Sequence, residues 1–343
     1  MCLRLYWKVN SAIAESHNRQ TQPLGVFVYF GGKPPRKGMF IFMKKNPLFK
    51  GVATAVITPF DDNRIDFWRF SKFLEFQLTE GIDAIVVCGT TGEASTLSVD
   101  EQKDVIDFTI KQVRKRVPVI AGIGGNDTAK AIEMTKFACS KGVDGLLAVT
   151  PYYNKCTQDG LIKHYEKIAS VSSKPIILYN VPARTCVNIE PKTYAALSEI
   201  DNIVAVKEAG GSISAVAKTL SLCKEKLDIY SGNDDQTLAI MALGGLGVIS
   251  VTSNVVPRKM KLLCTRFFEG DIECAARLQL DLIPLMEMLF CEVNPTPVKA
   301  ALAEMCLCKN ELRGPLQPLS QRFIQPLREE LIKARALCVQ ACE

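Results

Sequence analysis

From Gly51 onward, short apolar, β-branched runs recur along the chain, each closing on glycine or a polar residue and each followed by an amphipathic stretch. The runs are Val52–Ile57, Ala84–Val87, Val119–Ala121, Gly145–Val149, Ile176–Leu178, Ile203–Val206, Asp228–Tyr230 and Gly247–Val251. Runs this continuous predict strands covered on both faces, as in a parallel sheet. Successive runs start 19 to 35 residues apart, which leaves room for a helix and its loops in each interval, shorter in the last. In the first interval Phe67, Phe70, Phe73, Leu74 and Leu78 recur at threes and fours, the period of a helix face. Ser98 stands three residues before Glu101, a reciprocal cap opening a helix through Val105, Ile106 and Ile110. Eight such units predict an α/β fold, a closed (β/α)₈ TIM barrel. An open doubly wound sheet is the alternative, but its first strand is followed by a glycine-rich turn, and here that turn reads Thr58-Pro59-Phe60-Asp61.

Beyond Val251 the pattern is helical, with breaks at Asn294-Pro295-Thr296-Pro297 and Arg313-Gly314-Pro315. The expected division is a barrel over 43–270 and a C-terminal helical region over 271–343. Residues 1–42 break the pattern, mixing polar residues with a Gly31-Gly32-Lys33-Pro34-Pro35 interruption. They read as a targeting segment, a disordered arm or an upstream extension. A secretory signal is disfavoured, because no clean apolar core precedes a small-residue cleavage site. The expectation is a poorly ordered, dispensable extension, with Met39 and Met43 as alternative starts.

Composition narrows the function. Hydrophobic residues at 48% and charged ones at 23% suit a globular chain, and no apolar run nears the roughly 18 residues that span a bilayer. The net charge of +6 is scattered rather than gathered into a stripe, which argues against nucleic acid. Only two histidines, His17 and His164, leave little for a His-built metal site, so no metal is expected. The 13 cysteines form no C-x-x-C pair and read as reduced, mostly buried thiols of a cytoplasmic protein, with Cys306-Leu307-Cys308 on a helix face.

In such a barrel the chemistry gathers at the C-terminal strand ends. Those ends carry Gly89-Thr90-Thr91-Gly92-Glu93, Thr150-Pro151-Tyr152-Tyr153-Asn154, Tyr179-Asn180-Val181-Pro182, Lys207-Glu208-Ala209 and Ser231-Gly232-Asn233-Asp234-Asp235. Lys207 closes an apolar run. Desolvation disfavours an ammonium, and a neutral amine is the nucleophile that forms a Schiff base with a ketone. A structural lysine paired with Glu208 or another acid is an equal reading. Tyr179 reads either as an acid–base phenol or as a rim aromatic. The glycines around Thr90 and Thr91 would let backbone N–H groups and hydroxyls approach an anion. Arg184 suits bidentate carboxylate binding, although most arginines are surface residues. Gly244-Gly245-Leu246-Gly247 precedes a strand and reads as packing, and Gly122-Ile123-Gly124-Gly125 lacks dinucleotide-binding spacing. His164 reads as structural, and Asp234 with Asp235 as caps of the helix that follows.

Taken together, Gly89-Thr90-Thr91-Gly92-Glu93, Thr150-Pro151-Tyr152-Tyr153-Asn154, Tyr179-Asn180-Val181-Pro182-Ala183-Arg184-Thr185, Val206-Lys207-Glu208-Ala209 and Gly247-Val248-Ile249-Ser250-Val251 resemble the dihydrodipicolinate synthase family. The resemblance runs in order from about Leu48 into the C-terminal region. It implies a class I aldolase-type lyase that condenses pyruvate with aspartate 4-semialdehyde in lysine and diaminopimelate biosynthesis, without a cofactor. By the same match Lys207 would form the Schiff base and Tyr179 would be the central acid–base group. Thr91 and Tyr153 would complete a proton relay, Tyr153 reaching across a dimer interface. Thr90, Gly232 and Ile249 would line the pyruvate site and Arg184 would hold the semialdehyde carboxylate. The family implies a homotetramer built as a dimer of dimers. Lysine-inhibited members are similar to one another in an acidic residue where this chain has Lys130, near Asn126, and in histidines near Val99 and Gln102, so weak or absent feedback is expected. A sugar-acid lyase of the same superfamily would share Lys207 and Tyr179, but Thr90-Thr91 and Tyr152-Tyr153 favour the synthase. A barrel that only binds a metabolite is the non-enzymatic alternative.

Overall fold

Eight parallel strands close on one another in the computed structural model, which describes residues 47–336. They are β1 (Gly51–Ala55), β4 (Ala84–Val87), β5 (Val119–Gly122), β6 (Gly145–Val149), β7 (Ile176–Asn180), β8 (Ile203–Glu208), β9 (Asp228–Ser231) and β10 (Gly247–Ser250). The first strand pairs with the last through Gly51 and Gly247 and with β4 through Ala53 and Ala84, which closes the barrel and excludes the open sheet. The reading for residues 1–42 lies outside the described residues.

The helices between strands are α1 (Phe67–Thr79), α2 (Val99–Val113), α3 (Thr128–Lys141), α4 (Gln158–Ala169), α5 (Pro182–Thr185), α6 (Pro191–Leu197), α7 (Ile213–Cys223), α8 (Thr237–Ala242) and α9 (Pro257–Phe268). The first buries Phe70, Phe73 and Leu74 as its spacing predicts. The second opens on the Ser98–Glu101 capping box. One feature was not anticipated. The first strand-to-helix loop holds a small hairpin of β2 (Phe60–Asp61) and β3 (Arg64–Ile65), turning at Asp62 and Asn63, whose φ angles are 50° and 60°. Short Asp and Asn side chains tolerate that left-handed backbone, which matches the twist of a tight hairpin.

Alternation along each strand sorts side chains into two cores. Ala53, Ala55, Ala84, Ile120, Leu147, Ile177, Ala205 and Ile249 fill the barrel interior. The base is plugged by Phe49 stacked on Tyr230, ring centroids 4.1 Å apart, with the Tyr230 hydroxyl donating to the Phe49 carbonyl. Gly247 belongs to this packed end, as expected. A Cβ there would lie 1.8 Å from the Gly51 carbonyl oxygen, and its φ of +139° already favours glycine.

Three further helices follow: α10 (Ile272–Met288), α11 (Thr296–Glu304) and α12 (Gln321–Lys333). The first sequence break runs into the opening residues Thr296 and Pro297 of α11, and the second falls between α11 and α12. Two expectations need correction. Cys306 and Cys308 sit in the turn after α11, not on a helix face, and Cys306 has φ +58°. The described cysteines are free, but only Cys88, Cys223, Cys264 and Cys308 are buried, because most of the others lie on the solvent-facing helix layer and loops. No helix among the described residues is long and apolar enough to cross a membrane.

Candidate active site

Register decides what the two most informative residues face. Tyr179 pairs with Lys207 and Asn180 with Glu208 across β7 and β8. Successive residues of a strand point to opposite sides, so Tyr179 and Lys207 share the barrel interior while Asn180 and Glu208 share the helix layer. Lys207 is 4% exposed, and its Nζ lies 4.4 Å from the Tyr179 ring centroid. Among the described residues it joins no ion pair. The alternative of a Lys207–Glu208 pair is therefore overturned. The Glu208 carboxylate instead accepts hydrogen bonds from Asn180 Nδ2 (3.0 Å), the Tyr194 hydroxyl (2.9 Å) and the Gly210 N–H (2.6 Å). Burial pushes its pKa up, against the pull of those donors.

The Gly89–Glu93 turn is wound tightly. The N–H groups of Gly92, Glu93 and Ala94 are consumed by the carbonyls of Gly89 and Thr90, and the Thr58 hydroxyl donates to the Gly92 carbonyl at 2.8 Å. Among the described residues the N–H groups of Thr90 and Thr91 find no carbonyl to donate to. Thr90 is half-buried and Thr91 buried. Thr91 Oγ1 accepts a hydrogen bond from Asn294 Nδ2 at 3.0 Å. Asn294 was read from the sequence only as part of a helix break, since nothing local ties it to a turn 203 residues earlier. The same turn is gripped again by a buried ion pair, Glu93 Oε1 to Lys299 Nζ at 2.5 Å.

Arg184 sits on α5, opened by Pro182, and its Nη2 donates to the Asn294 carbonyl at 3.2 Å. Gly232 follows β9, its N–H donating to the Glu208 carbonyl at 2.7 Å, and a Cβ there would crowd Ala209 at 2.8 Å. Ile249 is fully buried inside the barrel beside this set. Tyr153 is the outlier. It is 90% exposed with φ +71° and makes no hydrogen bond to Tyr179 or Thr91 within the chain.

Two peripheral readings are resolved. Asp234 does not cap the helix after it. Its Oδ2 accepts from the Val251 and Thr252 N–H groups and from the Thr252 hydroxyl, tying the loops after β9 and β10, because the carboxylate turns toward the free amides of that neighbouring turn. His164 is buried on α4 with Nδ1 2.9 Å from the Thr128 hydroxyl, and burial pulls its pKa down to about 4. Among the described residues no three His, Cys, Asp or Glu side chains are grouped to hold a metal.

The family model for the dihydrodipicolinate synthetase family matches residues 48–334. The chain belongs to that family. It is 49% identical over 288 residues to a 4-hydroxy-tetrahydrodipicolinate synthase of Thermoanaerobacter sp., covering 84% of this chain and 97% of the relative. It is 50% identical over 274 residues to the enzyme of that name from Geobacter sulfurreducens, covering 80% and 94%. The crystal structure of dihydrodipicolinate synthase from Thermotoga maritima superposes with a TM-score of 0.83 at 42% identity, covering 85% of this chain and all of that one. The family match ends near the close of α12, so the three C-terminal helices are part of the shared architecture rather than an addition to it.

Proposed function

We propose that this chain is a 4-hydroxy-tetrahydrodipicolinate synthase, a Schiff-base lyase that condenses pyruvate with L-aspartate 4-semialdehyde in lysine and diaminopimelate biosynthesis. The observation that carries the reading is Lys207, an amine inside the barrel against Tyr179 with no carboxylate paired to it among the described residues. The Lys207 amine attacks the ketone carbon of pyruvate. The resulting hydroxyl leaves as water after gaining a proton, and an iminium remains. That cation withdraws electrons from the adjacent methyl group, which loses a proton to give an enamine. The enamine carbon forms a bond to the aldehyde carbon of the second substrate, whose oxygen takes up a proton. The amino group of that substrate then attacks the iminium carbon, and Lys207 departs as the free amine while the ring closes.

Each step moves a proton, and the Tyr179 phenol faces the amine where those protons are exchanged. Thr91 and Tyr153 would extend that exchange toward solvent. The Thr90 and Thr91 N–H groups, with Gly232 and Ile249, would seat the pyruvate carboxylate. Arg184 would hold the semialdehyde carboxylate through its paired N–H donors. The exposure of Tyr153 supports its insertion into a neighbouring subunit's site, hence a dimer at least and a dimer of dimers by family likeness. A cytoplasmic location fits the pathway.

Borohydride reduction in the presence of pyruvate tests the reading. The expected result is lasting inactivation and a reduced pyruvate adduct mapped by mass spectrometry to Lys207, absent in Lys207→Ala. An adduct elsewhere, or turnover of sugar acids in preference to aspartate 4-semialdehyde, would overturn it.

A further inference from the structure

Strand β8 reaches Lys207 by an irregular route. Between Ile176 and Ile177 of β7 the paired residue on β8 advances by two, from Ile203 to Ala205. Val204 is the extra residue of a β-bulge, a feature rare in parallel pairs. The bulge changes which way every later side chain of the strand points. Ile203 packs in the outer core, while Val204 and Ala205 both pack in the inner one. Val206 returns to the outer core, and Lys207 lies inside against Tyr179. Unbroken alternation from Ile203 would instead turn Lys207 outward and Glu208 inward. A slip of one residue thus separates an amine in the site from an amine in the helix layer.

The bulged register is held from the far side of the strand. Glu208 Oε1 accepts from the Gly210 N–H at 2.6 Å and from Asn180 Nδ2 at 3.0 Å, and Oε2 accepts from the Tyr194 hydroxyl of α6 at 2.9 Å. Asn180 is itself fixed, its Nδ2 donating to Asn188 Oδ1 at 2.8 Å and its Oδ1 accepting from the Ile189 N–H at 3.0 Å. The Asn180–Glu208 bond therefore ties the two strands one residue beyond the rung that pairs Tyr179 with Lys207. We infer that Glu208 is a positioning residue: anchored in the helix layer, it holds β8 in the bulged register and so points Lys207 at Tyr179. The inference rests on the proposed role of Lys207 as the amine that takes up pyruvate.

The test reads the first covalent step. Enzyme and pyruvate are mixed and quenched with borohydride at set times, so that the rate constant and the amplitude of adduct formation on Lys207 are measured separately. Glu208→Ala is expected to slow the rate constant by about 10- to 100-fold at near-full amplitude, the scale of a reacting group displaced by about 1 Å. Glu208→Gln is expected to recover most of that rate. Its carbonyl still accepts from Gly210 and Asn180, and its amide donates to the Tyr194 hydroxyl. Tyr194→Phe removes one donor of the anchor and is expected to slow the rate constant less than Glu208→Ala does, again at near-full amplitude. A lower amplitude at an unchanged rate constant would overturn the inference, because plain support of the fold removes sites without slowing those that remain. Glu208→Gln as slow as Glu208→Ala would also overturn it, since the charge rather than the anchorage would then matter. If Glu208→Ala does not fold, Tyr194→Phe decides, and an unchanged rate constant there sinks the inference. An adduct on Lys207 in the unaltered protein with unslowed variants sinks this inference alone, while no adduct in the unaltered protein sinks the proposed function with it.

Discussion

Among the described residues two lysines are buried, and both lie over an aromatic ring, yet they differ in what balances their charge. Lys299, in the C-terminal helices, is fully buried with its Nζ 3.9 Å from the Phe60 ring centroid, and it meets Glu93 and the Glu311 carbonyl. Burial lowers its pKa, and Glu93 beside it pulls the other way. Lys207, in the barrel, has the Tyr179 ring at 4.4 Å and joins no ion pair among the described residues. The acid next to it in sequence is turned to the far side of the strand and held by Asn180, Tyr194 and Gly210. Burial of an amine therefore does not by itself mark chemistry. What separates the two is the missing counter-charge at Lys207, which leaves that amine with a phenol ring as neighbour and no ion pair to break before it can attack a carbonyl.

The contrast is sharpest when each lysine is removed. Lys207→Ala is expected to lower kcat by at least about a thousandfold, since the covalent route is lost, while the thermal midpoint stays close to that of the unaltered protein. Lys299→Met is expected to do the reverse. It strands Glu93 in the interior, a loss on the order of 3–5 kcal/mol by urea denaturation, while the folded fraction still traps pyruvate on Lys207. Lys299→Met combined with Glu93→Gln is expected to recover part of that loss, because no bare charge remains. The comparison breaks if Lys207→Ala unfolds the protein, or if Lys299→Met abolishes trapping without loss of stability.

His164 is a third buried base, in the helix layer, and it extends the comparison to a group that gives up its charge. Among the described residues its only polar partner is the Thr128 hydroxyl, and burial draws its pKa from the ordinary 6.5 to about 4. The unfolded chain then binds the proton first as the medium acidifies. Stability is complete above pH 6.5, falls as pH drops toward 4, and levels off below it. A shift of that size corresponds to about 3 kcal/mol. His164→Gln is expected to flatten the stability curve between those pH values, measured by urea midpoints. An unchanged slope would mean that His164 stays solvated.

These contrasts show what could be read beforehand and what could not. The eight strands were legible because a strand covered on both faces leaves an unbroken apolar run. Their far ends were under-read. Tyr179, Asn180, Lys207, Glu208 and Ser231 all continue the ladder, but they are polar because the site begins there. Strand alternation alone points Lys207 and Glu208 to opposite sides, which excludes an ion pair between them. The two-residue strands of the hairpin are too short for any period. Asn294 on Thr91 and Asp234 on Thr252 were out of reach for another reason. Contacts 203 and 18 residues apart leave no local pattern: the first exists because the C-terminal region meets the barrel rim, the second because barrel closure sets the loops after β9 and β10 side by side.

A fourth basic residue gives the smallest expected effect, and it follows from position rather than burial. Lys130 is exposed in the first turn of α3, close behind Asn126, whose carbonyl accepts from Asn154 Nδ2. Val99 is 49% exposed, and the Gln102 amide is spent on the Ala94 and Leu97 carbonyls. A free lysine approaching this surface would bring an ammonium toward an ammonium. In water two like charges at contact oppose each other by only about 1 kcal/mol, so repulsion is modest, but no carboxylate at this position offsets it. We propose that millimolar L-lysine leaves the initial rate of the purified enzyme unchanged. Lys130→Glu is expected to reverse the sign of that local field, and calorimetric titration would then detect weak lysine binding that fades with added salt. Strong inhibition of the unaltered enzyme would show that lysine is recognised through groups other than the residue at position 130.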